Sequence, residues 1–199
     1  AIERYVSLVE QPRPDPTTLA ATDVIVEVKS ASVGWVDLIM SSGQYQHVPT
    51  PPYTPGLEYA GVVSWKGSAV GNHVEVGDAV IADGALTGPR SLGAHRAWGG
   101  WASWAVAPSE ALLRIPGALS FDEGCNLLGN YETAYHCLVV RGQLRAGESV
   151  LILGASGSTG MATALYLAQE HGIKAVVLEA NQTSWGCSSR SGGQGQNAS

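Results

Sequence analysis

Glycines at positions 154, 157 and 160 stand between the apolar run Val150–Leu153 and an apolar helical pattern, Ala164, Leu165, Leu167 and Ala168, closed by Gly172. A backbone bare of Cβ atoms at this spacing can approach a pyrophosphate. A helix that begins near Ser158 aims unpaired N–H groups and a positive dipole end at it. Gly154, Ala155, Ser156, Gly157, Ser158, Thr159 and Gly160 are therefore the expected phosphate-binding residues. A second apolar run, Ala175–Leu178, ends in Glu179. That carboxylate lies about 20 residues beyond the turn, where it can accept hydrogen bonds from an adenosine ribose. Strand, glycine turn, helix and strand in this order open a dinucleotide-binding unit. A tight strand–helix turn with no ligand is the plain alternative.

The elements ahead of this unit have another character. Ile2–Val9 reads as a strand ended by Gln-Pro-Arg-Pro-Asp-Pro (11–16). Val24, Val26 and Val28 alternate with Ile25, Glu27 and Lys29, the period of a strand. Val36–Ser41 reads as a short helix or turn stopped by Gly43. Tyr45–Pro55 holds Pro49, Pro51, Pro52 and Pro55 and must be an extended loop. Tyr59–Trp65, Ala79–Ala82, Trp101–Ala107 and Ala111–Ile115 read as further strands, and 83–100 as a long surface loop. Short strands with Gly/Pro turns at this density predict a mostly antiparallel, barrel-like domain over 1–119. Ser120-Phe-Asp-Glu123 is a capping box that starts a helix, continued by Leu127, Tyr131, Ala134 and Leu138. An α/β domain over 120–180 follows. Its two strands are fewer than a doubly wound sheet requires, so it reads as a partial Rossmann-type domain with an open edge that invites association into a homo-oligomer. Residues 181–199 are rich in Gln, Ser, Gly and Asn and read as a disordered tail.

Composition excludes several classes of function. The net charge of −6 and scattered basic residues leave no footprint for nucleic acid. No apolar run is long enough to span a bilayer. Cys125, Cys137 and Cys187 are an odd, unspaced set, which suggests reduced thiols in a cytoplasmic compartment. The N-terminus does not read as a signal peptide.

Gly34-Trp-Val-Asp37, Ser42-Gly-Gln-Tyr45 and Tyr53-Thr-Pro-Gly-Leu-Glu-Tyr-Ala-Gly61 resemble the medium-chain dehydrogenase/reductase superfamily, in its zinc-free NADPH:quinone oxidoreductase branch. Gly99-Gly-Trp-Ala-Ser-Trp-Ala-Val106, Asn130-Tyr-Glu-Thr-Ala-Tyr135 and Gly147–Gly157 continue the likeness, which covers about residues 1–160. The resemblance implies a GroES-like barrel followed by a Rossmann domain, and hydride transfer from NADPH or NADH to a quinone or enone. With a partial nucleotide domain, the chain alone is expected to be inactive. A non-enzymatic fragment or interaction module is the alternative.

From about Thr159 the text changes. Thr159–Ala180, and more clearly Trp185-Gly-Cys-Ser-Ser-Arg-Ser-Gly-Gly-Gln194, resemble the N-terminal FAD-binding segment of flavin-dependent amino-acid or amine oxidases. That likeness implies that Glu179 binds an adenosine ribose, with FAD as an alternative cofactor. It also implies a join between two families inside a strand–glycine–helix unit that both need. The turn has the reductase spacing, while Glu179 belongs to the flavin side and repels a 2′-phosphate, favouring NADH or FAD over NADPH.

The reductase resemblance places Tyr45 beside the nicotinamide as a proton or hydrogen-bond donor to a quinone oxygen; a ring covering the barrel is the equal alternative. It places Thr133 near the nicotinamide ribose or phosphates, where a hydroxyl on a helix can also bond back to the main chain. Asp37 matches a residue near the cleft, although a helix N-terminal acid explains it as well. Gly34 and Ile39 depart from the Asn and Tyr that relatives often carry. The zinc branch has a Cys near position 35 and Gly-His-Glu near 56–58; here stand Trp35 and Gly56-Leu57-Glu58, so no zinc is expected. His136 and Cys137 read as packing residues. His47, His73, His95 and His171 read as solvated, and Trp98, Trp101 and Trp104 as core or loop cover.

Overall fold

The computed structural model describes residues 4–91, 93–153, 163–165, 167–169, 172 and 176–178. The chain divides into two compact units, Ala1–Asn126 and Leu127–Ser199. The first holds β1 (Asp23–Ala31), α1 (Trp35–Ser41), β2 (Tyr59–Lys66), β3 (Ala79–Ala82), β4 (Trp104–Pro108), β5 (Leu112–Arg114) and α2 (Phe121–Gly124). Its strands form one antiparallel sheet in the order β4-β1-β2-β3-β5.

The period of β1 explains the core. Val24 and Val26 face Tyr59, Val63, Val80, Ala82, Ala105, Ala107 and Leu112, so all five strands feed one apolar cluster. A sheet whose two edge strands reach the same cluster is curled about it, as in a barrel. Ile25 is fully buried as well, so the start of β1 is covered on both faces. The ladder between β1 and β2 slips at Ile25/Val26 and at Val28/Ser30. Such bulges bend a strand and increase its twist.

Three expectations are corrected here. Residues 4–9 form no strand: Tyr5, Leu8 and Val9 are exposed, and no described residue pairs with them. Apolar character alone does not make a strand without a neighbouring backbone to complete its ladder. The loop 83–100 is not wholly superficial, because Thr87, Pro89 and Ser91 are buried. The strand expected from Trp101 begins only at Trp104.

Gly34 caps the start of helix α1, and the chain leaves the helix where Gly43 takes φ +76. That backbone suits glycine and closes the helix. It buries Asp37 and Met40. Helix α2 has the expected capping box: Glu123 N–H donates to Ser120 Oγ at 3.3 Å and Ser120 N–H to Glu123 Oε2 at 2.8 Å. It packs on β1 and β2 and stays with the sheet.

The second unit opens with a helical run over 128–141. Wide five-residue turns at Leu128–Glu132 and His136–Arg141 flank an α-helical turn at Thr133–Tyr135. Ala134 and Leu138, one turn apart, are its buried residues. Leu138 and Leu167 nucleate a second cluster with Val139, Leu144, Val150 and Ala164. β6 (Leu151–Leu153) and β7 (Val176–Leu178) pair in parallel, and helical residues 163–165 and 167–169 lie between them in sequence. The strand–helix–strand order is thus present. The expected tail, 181–199, lies outside the described residues.

Candidate cofactor and substrate site

The parallel pair of β6 and β7 sets the two strand ends that precede the expected cofactor residues. Its last register couple is Leu153 with Leu178. The next residues in sequence are Gly154 on one strand and Glu179 on the other. In open α/β sheets, ligands bind outside the carboxyl ends of the strands. Gly154, Ala155, Ser156, Gly157, Ser158, Thr159, Gly160 and Glu179 themselves lie outside the described residues.

Thr133 is exposed, and its Oγ1 donates to the Gly129 carbonyl at 2.7 Å. The hydroxyl is therefore engaged by its own helix. Tyr45 is half-buried, with its ring edge-on to His47 at 6.3 Å between centroids. Tyr45 belongs to the first unit and Thr133 to the second.

The best-defined polar feature is Asp37. It is 3% exposed. Its Oδ2 accepts from Gly34 N–H at 2.8 Å, which caps α1 as a helix N-terminal acid should. Its Oδ1 accepts from Leu57 N–H at 2.9 Å, a contact across 20 residues that sequence reasoning missed. The Asp at the third helical position was a visible signal for the first bond, and nothing in the sequence marks the second. Burial is the main cause that pushes the Asp37 carboxyl up to about 6, helped by the Glu58 charge and opposed by the Gly34, Leu57 and Gly56 amides. Burial also raises the Tyr53 phenol, and the Asp37 charge adds to it. Beside this site Ser32 Oγ donates to Glu58 Oε2 at 3.2 Å, and Trp101 Nε1 donates to the Ser32 carbonyl at 2.9 Å. Trp35 leaves the first turn of α1 with 53% of its surface exposed.

The remaining candidates sort themselves by contact. Trp101 fills a structural place, and Trp104 lies under the Arg13 guanidinium at 4.8 Å. His95 is not solvated: Nε2 meets Asp23 Oδ1 at 2.9 Å with 19% of the imidazole exposed. His73 Nε2 sits 3.1 Å from the Ser109 carbonyl oxygen. His136 and Cys137 are exposed and do not pack, because the buried face of their helix is that of Ala134 and Leu138. Cys125 is buried, and burial raises its thiol, with the Glu58 and Asp122 charges adding. His171 lies outside the described residues. Among the described residues no group of His, Cys, Asp and Glu could hold a metal ion, and no helix is long and apolar enough to cross a membrane.

Residues 20–117 match the alcohol dehydrogenase GroES-like domain model. Over those residues the chain is similar to the alcohol dehydrogenase GroES-like domain. Residues 149–197 match a second model, that of FAD dependent oxidoreductases. A quinone oxidoreductase of Lama guanicoe is 36% identical over 142 residues, 70% of this chain and 38% of that protein. A probable oxidoreductase of Mycobacterium abscessus has a similar structure, with a TM-score of 0.65 at 36% identity over 82% of this chain and 47% of that one. The quinone oxidoreductase of Thermus thermophilus, solved also in complex with NADPH, gives a TM-score of 0.61 at 28% identity over 83% of this chain and 46% of that one. The chain thus spans less than half the length of the proteins it matches. The two expected resemblances, to quinone reductases and to a flavoprotein segment, both find their counterpart here.

A GroES-like alcohol dehydrogenase domain raises the question of zinc. The two turns at which the zinc branch carries ligands are drawn together here by the Asp37 carboxylate. They present the indole of Trp35 and the isobutyl group of Leu57, and neither has a donor for zinc.

Proposed function

We propose that this chain is the barrel and opening nucleotide unit of a zinc-independent oxidoreductase that transfers hydride from NADPH or NADH to a quinone or enone. The observation that carries the reading is the parallel β6–β7 pair, whose carboxyl ends lead into the glycine segment at 154 and the acid at 179. The quinone oxidoreductase relatives support the substrate class. In the reaction the nicotinamide supplies the hydride. Gly154, Ala155, Ser156, Gly157, Ser158, Thr159 and Gly160 hold its pyrophosphate, and Glu179 its adenosine ribose. Thr133 lends a hydroxyl to the ribose side after giving up its bond to Gly129. Tyr45 donates a hydrogen bond to the acceptor oxygen of the substrate. A carboxylate at position 179 repels a 2′-phosphate and favours NADH.

The match of residues 149–197 to an FAD family supports a second reading, in which this same segment takes the adenosine of FAD. One comparison decides. The purified chain is titrated with NADPH, NADH and FAD while tryptophan fluorescence and visible absorbance are followed, and a quinone is then added. Nicotinamide oxidation, or saturable quenching by NADH or NADPH, supports the first reading. A yellow protein with neither response supports the second. No nucleotide response at all leaves an interaction module and defeats both.

A further inference from the structure

We infer that the Asp37 carboxylate is a two-point clasp between the 34–36 turn and the 56–58 turn, and that uptake of one proton opens one end of it and moves Trp35. The geometry comes first. Both amides, Gly34 N–H at 2.8 Å and Leu57 N–H at 2.9 Å, point at different oxygens of one carboxylate. An ionised carboxylate only accepts, so it satisfies both donors. A carboxylic acid has one hydroxyl oxygen, which carries a proton of its own. That hydroxyl oxygen is a weaker acceptor than a carboxylate oxygen, so the amide contact it receives weakens and lengthens. The carboxylate is 3% exposed, and water does not readily replace the lost partner.

The groups that act on the clasp are few. Glu58, in the turn just before β2, is a like charge that favours protonation. Tyr53, on the proline-rich loop, is coupled to the Asp37 charge and stays neutral over the relevant range because burial raises its phenol. Burial makes the proton accessible near neutral pH, since the carboxyl titrates at about 6. Trp35 sits one residue from the Gly34 anchor and two from Asp37, at the exposed start of α1. Release of either anchor therefore changes the face this ring presents. The consequence for quinone binding rests on the function proposed above; the clasp itself does not.

Amide spectra of the 15N-labelled chain between pH 4.5 and 8 test the clasp, with Trp35 fluorescence read as the difference between wild type and Trp35→Phe. The expected result is that the Gly34 and Leu57 amide protons and the Trp35 signal titrate with one shared midpoint near 6. Asp37→Asn abolishes the shared titration. Glu58→Gln, which leaves both clasp contacts in place, moves the midpoint down and serves if Asp37→Asn does not fold. Amides that stay fixed between pH 5 and 7, or that titrate at the ordinary carboxylate value, overturn the inference. Quenching of Trp35 by a naphthoquinone at pH 5.5 and 7.5 is read separately. A shared titration without quenching upholds the clasp and counts against the quinone reading alone.

Discussion

His95 Nε2 lies 2.9 Å from Asp23 Oδ1, joining the middle of the 83–100 loop to the first residue of β1. Asp23 Oδ2 meanwhile accepts from Ala20 N–H at 2.9 Å, so one side chain fixes both the strand entry and the loop. Hydrogen bonds to a carboxylate are worth about 1.5–3 kcal/mol in partly buried settings. His95→Ala should lower stability by about 1–2 kcal/mol, read as a lower urea midpoint with an unchanged slope. Loop residues 87–91 should lose amide protection first.

Asp37 predicts an unusual pH dependence. Its folded-state carboxyl titrates at about 6, above the ordinary 3.8. The folded chain therefore holds this proton more tightly than the unfolded chain. The contribution is fully present below 3.8 and is lost as pH rises through 6, with a total of roughly 3 kcal/mol. Asp78 and Glu123, held below the usual range first by backbone amides, act in the opposite sense and lose their contribution as pH falls. Comparison with Asp37→Asn isolates the first effect. Wild type should gain on the variant as pH falls from 7 to 4, and a flat difference would contradict the assignment.

Gly56 cannot be replaced without damage to the same region. Its φ of +101 disfavours any side chain, and a Cβ would lie 2.6 Å from Trp101 Cδ1 and 2.7 Å from Trp101 N. Gly56→Ala should cost about 2–4 kcal/mol in thermal or urea unfolding. It should also shift the Leu57 amide resonance, because Leu57 is the distal anchor of Asp37.

Gln143 offers the reverse case. It closes the 128–141 helix with φ 49, and Leu144 N–H then bonds the Leu138 carbonyl at 3.0 Å while the two leucines pack together. This left-handed closing position is the one glycine fills best. Gln143→Gly should stabilise the second unit by about 0.5–1 kcal/mol, measured as slower amide exchange at Leu138 and Leu144.

Much of the architecture is written locally. The valine alternation in β1, the Ser120–Glu123 box and the apolar runs flanking the glycines each predict an element from a few neighbouring residues, and each element is present. The strand expected at Ile2–Val9 is not formed over residues 4–9, because a strand is a relation between two segments and its own residues carry no record of the second. Likewise the sequence leaves Thr133 two roles, and in this structure its hydroxyl is bonded within its own helix turn.

By itself the sequence determined period, punctuation and family likeness, because these depend on residue type and spacing along the chain. Only the tertiary structure decided which distant groups meet. Asp37 reaches Leu57 across 20 residues and His95 reaches Asp23 across 72. Such partners are chosen by the curl of the sheet and by the demand that a buried carboxylate find donors, and neither of these is a property of a local stretch.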